Sequence, residues 1–169
     1  QRYRNRLNAS YASGFLKGNW AVAGAFVRRW AEKGYEPGTY YDGYSYFFSV
    51  EKLIKNVHSI SFTTFGAPTR SARAAYSTRE MQTLANNRFY NPAWGYQNGQ
   101  IRNANETRTF IPVFILTYEG KFSPKTNLIA SGSYQFGTNK YSGLDWYNAQ
   151  NPAPDYYKNL PSLIDDPEA

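Results

Sequence analysis

A chain of 169 residues suits one domain, and with no cysteine it holds neither a disulfide nor a thiolate metal site. Its net charge of +7 comes from 19 Lys and Arg against 12 Asp and Glu, but the cations are scattered and carry no nucleic-acid-binding motif, so that function is set aside. No apolar run approaches the length of a spanning helix, which argues against a helical membrane protein but not against strands, since about 10 alternating residues suffice for each crossing. The aromatic share is 18%, from 16 Tyr, 11 Phe and 4 Trp. Such enrichment belongs to ligand-binding β proteins or to the interface girdles of membrane barrels.

In chain order, residues 2–12 alternate Arg2, Arg4, Arg6, Asn8 and Ser10 against Tyr3, Asn5, Leu7, Ala9 and Tyr11. This predicts a first strand with a polar, strongly basic face. A chain that opens at Gln1 within a strand reads as an interior piece of something longer. Gly14 to Asn19 is a turn signal. Residues 20–29 predict a second strand, with Trp20, Val22 and Phe26 opposing Ala21, Ala23 and Ala25. A connection over 31–43 carries Gly34, Pro37, Gly38 and three Tyr.

Strands over 44–52 and 58–66 then form the hairpin that organises the rest. Tyr44, Tyr46, Phe48 and Val50 share one face with Ile60 and Phe62, by alternation on either side of a tight turn. Ser45, Phe47, Ser49 and Glu51, with Ser59, Ser61 and Thr63, make the other. A soluble sheet normally covers its solvent side with Lys and Glu, whereas a transmembrane barrel has a polar lumen and an apolar outer band. The hairpin fits the second pattern, Phe47 excepted.

After Gly66 the alternation dissolves, leaving a long loop over 67–108 with one predicted helix. Ser77-Thr78-Arg79-Glu80 matches a capping box, with Met81, Leu84 and Ala85 at helical spacing and a stop near Asn86-Asn87. The fifth strand, 109–120, is apolar on both faces, so its sides stay open; Pro112 implies an edge, a bulge or an interrupted pairing. A turn over 121–126 leads to a sixth strand, 127–136, in which Leu128, Ala130, Tyr134 and Phe136 oppose Ser131, Ser133 and Gln135. Residues 137–169 show no strand pattern.

Connections therefore run short, medium, short, very long, short, long, which sorts turns to one end and loops to the other as in an outer-membrane barrel. The expected fold class is all-β, with residues 1–169 an antiparallel transmembrane β-barrel segment: about six strands of a larger barrel, long external loops and one loop helix. Six strands do not close, and lipid does not tolerate open edges.

Several ordered matches carry a resemblance. They are Trp20-Ala21-Val22 through Arg28-Arg29-Trp30, Gly34-Tyr35, Gly38-Thr39-Tyr40-Tyr41-Asp42, and Tyr44-Ser45-Tyr46-Phe47 with Ser49-Val50-Glu51-Lys52. Further along come His58-Ser59-Ile60, Phe65-Gly66-Ala67-Pro68-Thr69-Arg70, Tyr90-Asn91-Pro92 with Trp94-Gly95, Asn148-Ala149, Asn151-Pro152 and Pro154-Asp155-Tyr156-Tyr157. Over nearly its whole length the chain resembles the barrel wall of TonB-dependent outer-membrane receptors of Bacteroidota. The resemblance implies a barrel of about 22 strands, a plug domain outside this sequence, energy supplied through the TonB complex, and a Gram-negative outer-membrane location with lipid around the wall. A surface lipoprotein lid is compatible with it, though no residue here calls for one.

No catalytic constellation, cofactor motif or metal site is expected, and the reading is not an enzyme. His58 reads as a turn residue, and Asp165, Asp166 and Glu168 as a solvated tail. Asn8-Ala9-Ser10 and Asn105-Glu106-Thr107 match glycosylation sequons by chance in a bacterial protein. The lumen- or plug-facing candidates are Arg2, Arg4, Arg6, Ser49, Glu51, Ser59 and Ser61; lipid-facing arginines at mid-bilayer would cost about 2–4 kcal/mol each. Tyr90, Trp94, Tyr96, Trp146 and Tyr147 are the ligand-contact candidates, since flat aromatic faces stack on sugars, peptides or siderophore rings; loop-to-loop packing is the plainer role. From Ala67 to Arg108 six Arg face two Glu (+4), and from Gly137 on two Lys face five acids (−3), so attraction between these loops is expected. The expected function is TonB-dependent import of a large or scarce solute. The alternatives are a soluble secreted β-sandwich that binds carbohydrate, which needs no detergent, and a structural or adhesive barrel.

Overall fold

The structure, a computed structural model, describes residues 3–164. In chain order its strands are β1 (Asn5–Leu16), β2 (Trp20–Ala31), β3 (Tyr40–Ile54), β4 (His58–Gly66) and β5 (Thr69–Ala72). Helix α1 (Arg79–Leu84) precedes β6 (Trp94–Gln97), β7 (Gln100–Asn103), β8 (Glu106–Phe110), β9 (Val113–Ser123), β10 (Thr126–Gln135) and β11 (Thr138–Tyr141). A 3₁₀ turn (Tyr157–Asn159) and α2 (Pro161–Ile164) follow.

The protein is all-β and antiparallel. β1, β2, β3, β4, β9 and β10 pair in sequence order, and β5, β8 and β11 extend the last three of these ladders beyond β3. Each short connection suits its geometry. Lys55 and Asn56 have φ of 52° and 59°, the left-handed centre of a turn that the Val57 N–H closes on the Ile54 carbonyl at 3.2 Å within a three-residue connection. Gly18 and Asn19 are both at positive φ, and the Asn19 N–H donates to the Leu16 carbonyl at 3.0 Å. All three tight turns, at 17–19, 55–57 and 124–125, lie at one end of the sheet, and the long connections lie at the other.

Three neighbouring ladders break at one height. Ala67-Pro68 separates β4 from β5, Ile111-Pro112 separates β8 from β9, and Phe136-Gly137 separates β10 from β11. Proline has no N–H to give the ladder, which accounts for the first two breaks. Pro112 is fully buried, and β3 runs straight past, its Tyr44 N–H donating to the Pro68 carbonyl at 2.9 Å. Gly137 makes the third break at φ 150°; a Cβ there would collide with the Phe110 carbonyl oxygen and lie 2.7 Å from Ile111 Cα. Both obstacles are backbone. Gly137→Ala should therefore destabilise the β8–β11 end by about 2–4 kcal/mol, read as faster protease cleavage near 137–141 in the full-length protein.

The register sorts side chains into rows. Crossing from β2 to β10, one row is Val22, Val50, Phe62, Leu116 and Gly132; its neighbour towards the loops is Gly24, Phe48, Thr64, Phe114 and Tyr134. On this face Phe62, Phe114 and Phe136 stack in succession at 6.3 and 5.8 Å. The opposite face repeats small residues: Ala21, Glu51, Ser61, Thr117 and Ser131 form one row, and Ala23, Ser49, Thr63, Ile115 and Ser133 the next. Phe47 fits there because its neighbours across the ladders are Ala25 and Phe65.

Almost nothing is buried. Ala31, Ala72, Met81, Pro112 and Leu160 are the buried apolar side chains among the described residues, while Phe48 and Leu116 are 42% and 56% exposed. The accessible surface is 12738 Å², against about 8,500 Å² for a compact chain of this mass. One uncovered layer accounts for the difference. The two-sheet sandwich is not what the described residues form, since the second sheet is only the β6–β7 ribbon.

Several boundaries differ from the sequence reading. β3 starts at Tyr40 rather than 44, so the connection expected over 31–43 shrinks to 32–39. β1 runs to Leu16 through an irregularity between Ala12 and Phe15, where the Val22 N–H turns to the Ser13 hydroxyl at 2.9 Å. The expected loop 67–108 contains β5, β6, β7 and most of β8, and 137–169 contains β11 and two short helical turns. The helix cap is Thr78, not Ser77. Its hydroxyl accepts from the Met81 N–H at 3.2 Å while the Met81 sulfur accepts from the Thr78 N–H at 3.4 Å. No closed barrel forms: β1 and the β10–β11 line remain unpaired edges among the described residues.

Candidate functional site at the long-loop end

The long insertion is held by two asparagines. Asn91 is 1% exposed; its carbonyl oxygen accepts from the Ala75 and Ala93 N–H groups, each at 3.0 Å, and its amide donates to the Pro37 carbonyl at 2.8 Å. Asn103 donates to the Gly38 and Arg73 carbonyls at 2.9 and 3.1 Å and accepts from Asn105 N–H at 2.7 Å. Together they tie segments near 37, 74, 92 and 104 into one unit. Gly38 is required at this junction: at φ 73° it lies so close to Trp94 that a Cβ would overlap that side chain.

This unit sets the β6–β7 ribbon over the end of the sheet. Trp94 and Tyr96 meet edge to face at 5.5 Å, and Tyr90 is half-buried beside Asn91. Between ribbon and sheet lies an open cleft of about 870 Å³, lined by Tyr96 and Arg102 of the ribbon, Tyr40, Arg70 and Arg108 of the sheet, and Leu144 from the segment after β11. Of the five ligand-contact candidates, the structure brings Trp94 and Tyr96 together here. Trp146 and Tyr147 do not join them. Trp146 lines a separate hollow of about 460 Å³ with Tyr156 and Lys158. Tyr147, at φ 44° and 86% exposed, lies outside that hollow.

One carboxylate organises the sheet side of the cleft. Glu106 accepts from the Tyr40 hydroxyl at 2.7 Å, from Arg70 Nη2 at 3.1 and 3.2 Å, and from Arg108 Nη2 at 3.0 Å. Burial alone would raise its pKa, but the bonds from Tyr40, Arg108 and Arg70 outweigh that and hold it below the usual carboxylate range. Tyr40 moves the other way: burial first, then its bond to ionised Glu106, pushes it up to about 12. At neutral pH the cluster is one anion, one neutral phenol and two guanidiniums. Sequence reasoning passed over this cluster because Glu106 sat inside a presumed loop.

The small-residue face gathers the other candidates. Ser49, Glu51, Ser59, Ser61 and Arg6 all lie on it, by register. The Ser49 and Thr63 hydroxyls bond at 2.9 Å, as do those of Thr117 and Ser131. Arg4 lies just before β1, its N–H donating to the Trp30 carbonyl at 3.1 Å; Arg2 falls outside the described residues. His58 faces the other way, bonded to the Tyr118 hydroxyl at 2.8 Å and edge-on to Phe122 at 5.6 Å. The two long loops touch through Ser162, which donates from N–H and hydroxyl to Glu80 at 2.9 and 2.6 Å. Among the described residues no ion pair joins them, so the expected charge attraction takes no direct form. Asp165, Asp166 and Glu168 lie outside the described residues.

In comparisons with known proteins, the chain matched no family model, no curated protein and no solved structure.

Proposed function

We propose that this chain is a stretch of the wall of an outer-membrane β-barrel that imports a solute by TonB-dependent transport. The observation that carries the reading is the sheet's two-faced, single-layer build. One face is a band of Val, Leu, Ile, Phe and Tyr rows with aromatics at its limits, Trp20, His58 and Tyr118 towards the turns and Trp30 and Tyr44 towards the loops. The other is small and hydroxyl-rich except for one apolar row, Ala25, Phe47, Phe65 and Val113. From Tyr44 to Lys52 the band follows about 26 Å of strand at roughly 3.3 Å per residue, or about 20 Å across a membrane at barrel tilt, near the ~25 Å such bands need. Neighbour-to-neighbour pairing and turns sorted to one end add support. The unpaired edges call for further strands on both sides before lipid could surround the sheet. The plug, TonB contact and the transported solute belong to the resemblance given above; a siderophore, an oligosaccharide or a peptide would each suit the Trp94–Tyr96 ribbon.

The test uses the full-length protein. It should fractionate with outer membranes, stay monodisperse only in detergent or lipid, and support solute uptake that stops when the inner-membrane proton gradient is collapsed. A full chain that is monodisperse in plain buffer would overturn the reading, and uptake indifferent to the gradient would overturn its TonB part.

A further inference from the structure

The small-residue face carries two guanidiniums side by side towards the long-loop end. By register Arg6 of β1 lies directly opposite Arg29 of β2, at a cross-strand spacing of about 5 Å. The next residue along that row is Gly43, which has no side chain, and Thr69, Thr109 and Asn139 follow. The Tyr41 hydroxyl leans over the gap: a Cβ on Gly43 would lie 2.6 Å from it. Tyr3 completes the corner, its ring 5.7 Å from the Arg29 guanidinium and 6.3 Å from the Tyr41 ring. Arg29 is half-buried and its Nε is sealed without a hydrogen-bond acceptor among the described residues, while Arg6 stays exposed. Like charges directly opposed destabilise a sheet, and a buried charged donor without an acceptor costs more. The wall does not offset either cost. Among the described residues neither arginine has a carboxylate within ion-pair distance. The strand carboxylates on this face are Glu51 and Glu119, both towards the turns. Gly43 to Glu51 spans about 26 Å of β3 at roughly 3.3 Å per residue, about three times the ~8 Å screening length at physiological salt. The rows between carry no charge.

We infer that Arg6 and Arg29, with the Tyr41 hydroxyl, form a binding site for an oxyanionic group of the imported solute at the outer mouth of the lumen. Two forked guanidiniums and a phenol O–H converge over Gly43, a donor set suited to an oxyanion. The Tyr3 ring holds Arg29 in place without taking its N–H groups. The site lies at the long-loop end, where in the proposed barrel a solute enters, and the carboxylates lie at the turn end, where it leaves. A wall that is positive at entry concentrates anions there, and a negative exit weakens their hold. The inference rests on the transporter reading and adds to it the charge of the solute.

The probes are citrate and its uncharged trimethyl ester, each titrated calorimetrically against the full-length protein in detergent. Citrate should bind more tightly, with an affinity that falls as salt rises. Arg6→Gln with Arg29→Gln should weaken citrate binding about thirtyfold, to the level of the ester. Arg79→Gln with Arg88→Gln removes the same charge from the long insertion and should leave the preference intact. The first variant relieves a like-charge contact, so without citrate its urea midpoint should hold or rise. Equal binding of acid and ester, or an unchanged preference in the first variant, would overturn the proposal. So would earlier unfolding of that variant, which would place the pair against carboxylates of the plug instead. These results leave the barrel in place, whereas a chain that needs no detergent would remove the ground under both readings.

Discussion

Leu116→Arg, made in the full-length protein, should cost about 2–4 kcal/mol of folding stability in lipid and visibly reduce the assembled form, while Thr117→Arg should assemble normally. The two positions are adjacent on β9 yet face opposite sides: Leu116 shares the row of Val50 and Phe62, and Thr117 shares that of Ser61 and Ser131. Leu116 is 56% exposed in this sheet. Were that surface in water, the change would fall within about 0.5 kcal/mol, because a solvated guanidinium loses nothing there. In hydrocarbon the same group must be dehydrated or drag water inward. Reconstitution of both variants into bilayers of defined thickness, with urea unfolding, measures the difference. Equal stabilities would sink the facing on which the transport proposal stands.

Asn91→Ala should release the insertion between β5 and β8. It strands two backbone N–H groups and one carbonyl, those of Ala75, Ala93 and Pro37, in a place the side chain seals to 1% exposure. At about 1–3 kcal/mol for each unsatisfied buried group, the local loss is about 3 kcal/mol or more. Ribbon and cleft should become accessible to protease and their amides should exchange faster, with the β2–β3–β4 ladders unaffected. Asn91→Asp keeps both acceptor bonds and loses only the donation to Pro37, so it should lie between. Unchanged exchange in the alanine variant would show that Asn103 and Gly38 suffice to hold the ribbon.

The strands were legible wherever one face was apolar and the other polar. Period-two alternation is a local signal, and it runs from Trp20 to Phe26, Tyr44 to Phe62 and Leu128 to Phe136 with Phe47 and Ile129 as exceptions on the polar side. It failed where the apolar face gave way to charge. At Thr69–Ala72, Glu106–Arg108 and Thr138–Tyr141 both faces are polar, so alternation vanishes although the ladders continue. Strand five could not be sided from sequence since Ile115 and Leu116 are both apolar; only pairing with Thr63 and Phe62 separates them. The cap moved by one residue because the Met81 sulfur closes the box, which frees Glu80 to hold Ser162. Trp146 and Tyr147 looked like a pair, but only Trp146 lines the hollow; Tyr147 sits at positive φ and is almost fully exposed. Asn91 and Asn103 had no periodic signal at all. Their only trace was the turn-forming Asn91-Pro92 dipeptide.

The order of pairing also bears on how this stretch assembles. β1–β2, β3–β4 and β9–β10 each close over two or three residues, and such hairpins form within microseconds. β4 and β9, by contrast, meet only after everything from Ala67 to Pro112 has been looped out. Closure entropy rises slowly with length but must be met before any contact repays it. The β4–β9 seam is therefore the expected slow step, and a chaperone that shields the exposed side of β4 would act during that interval.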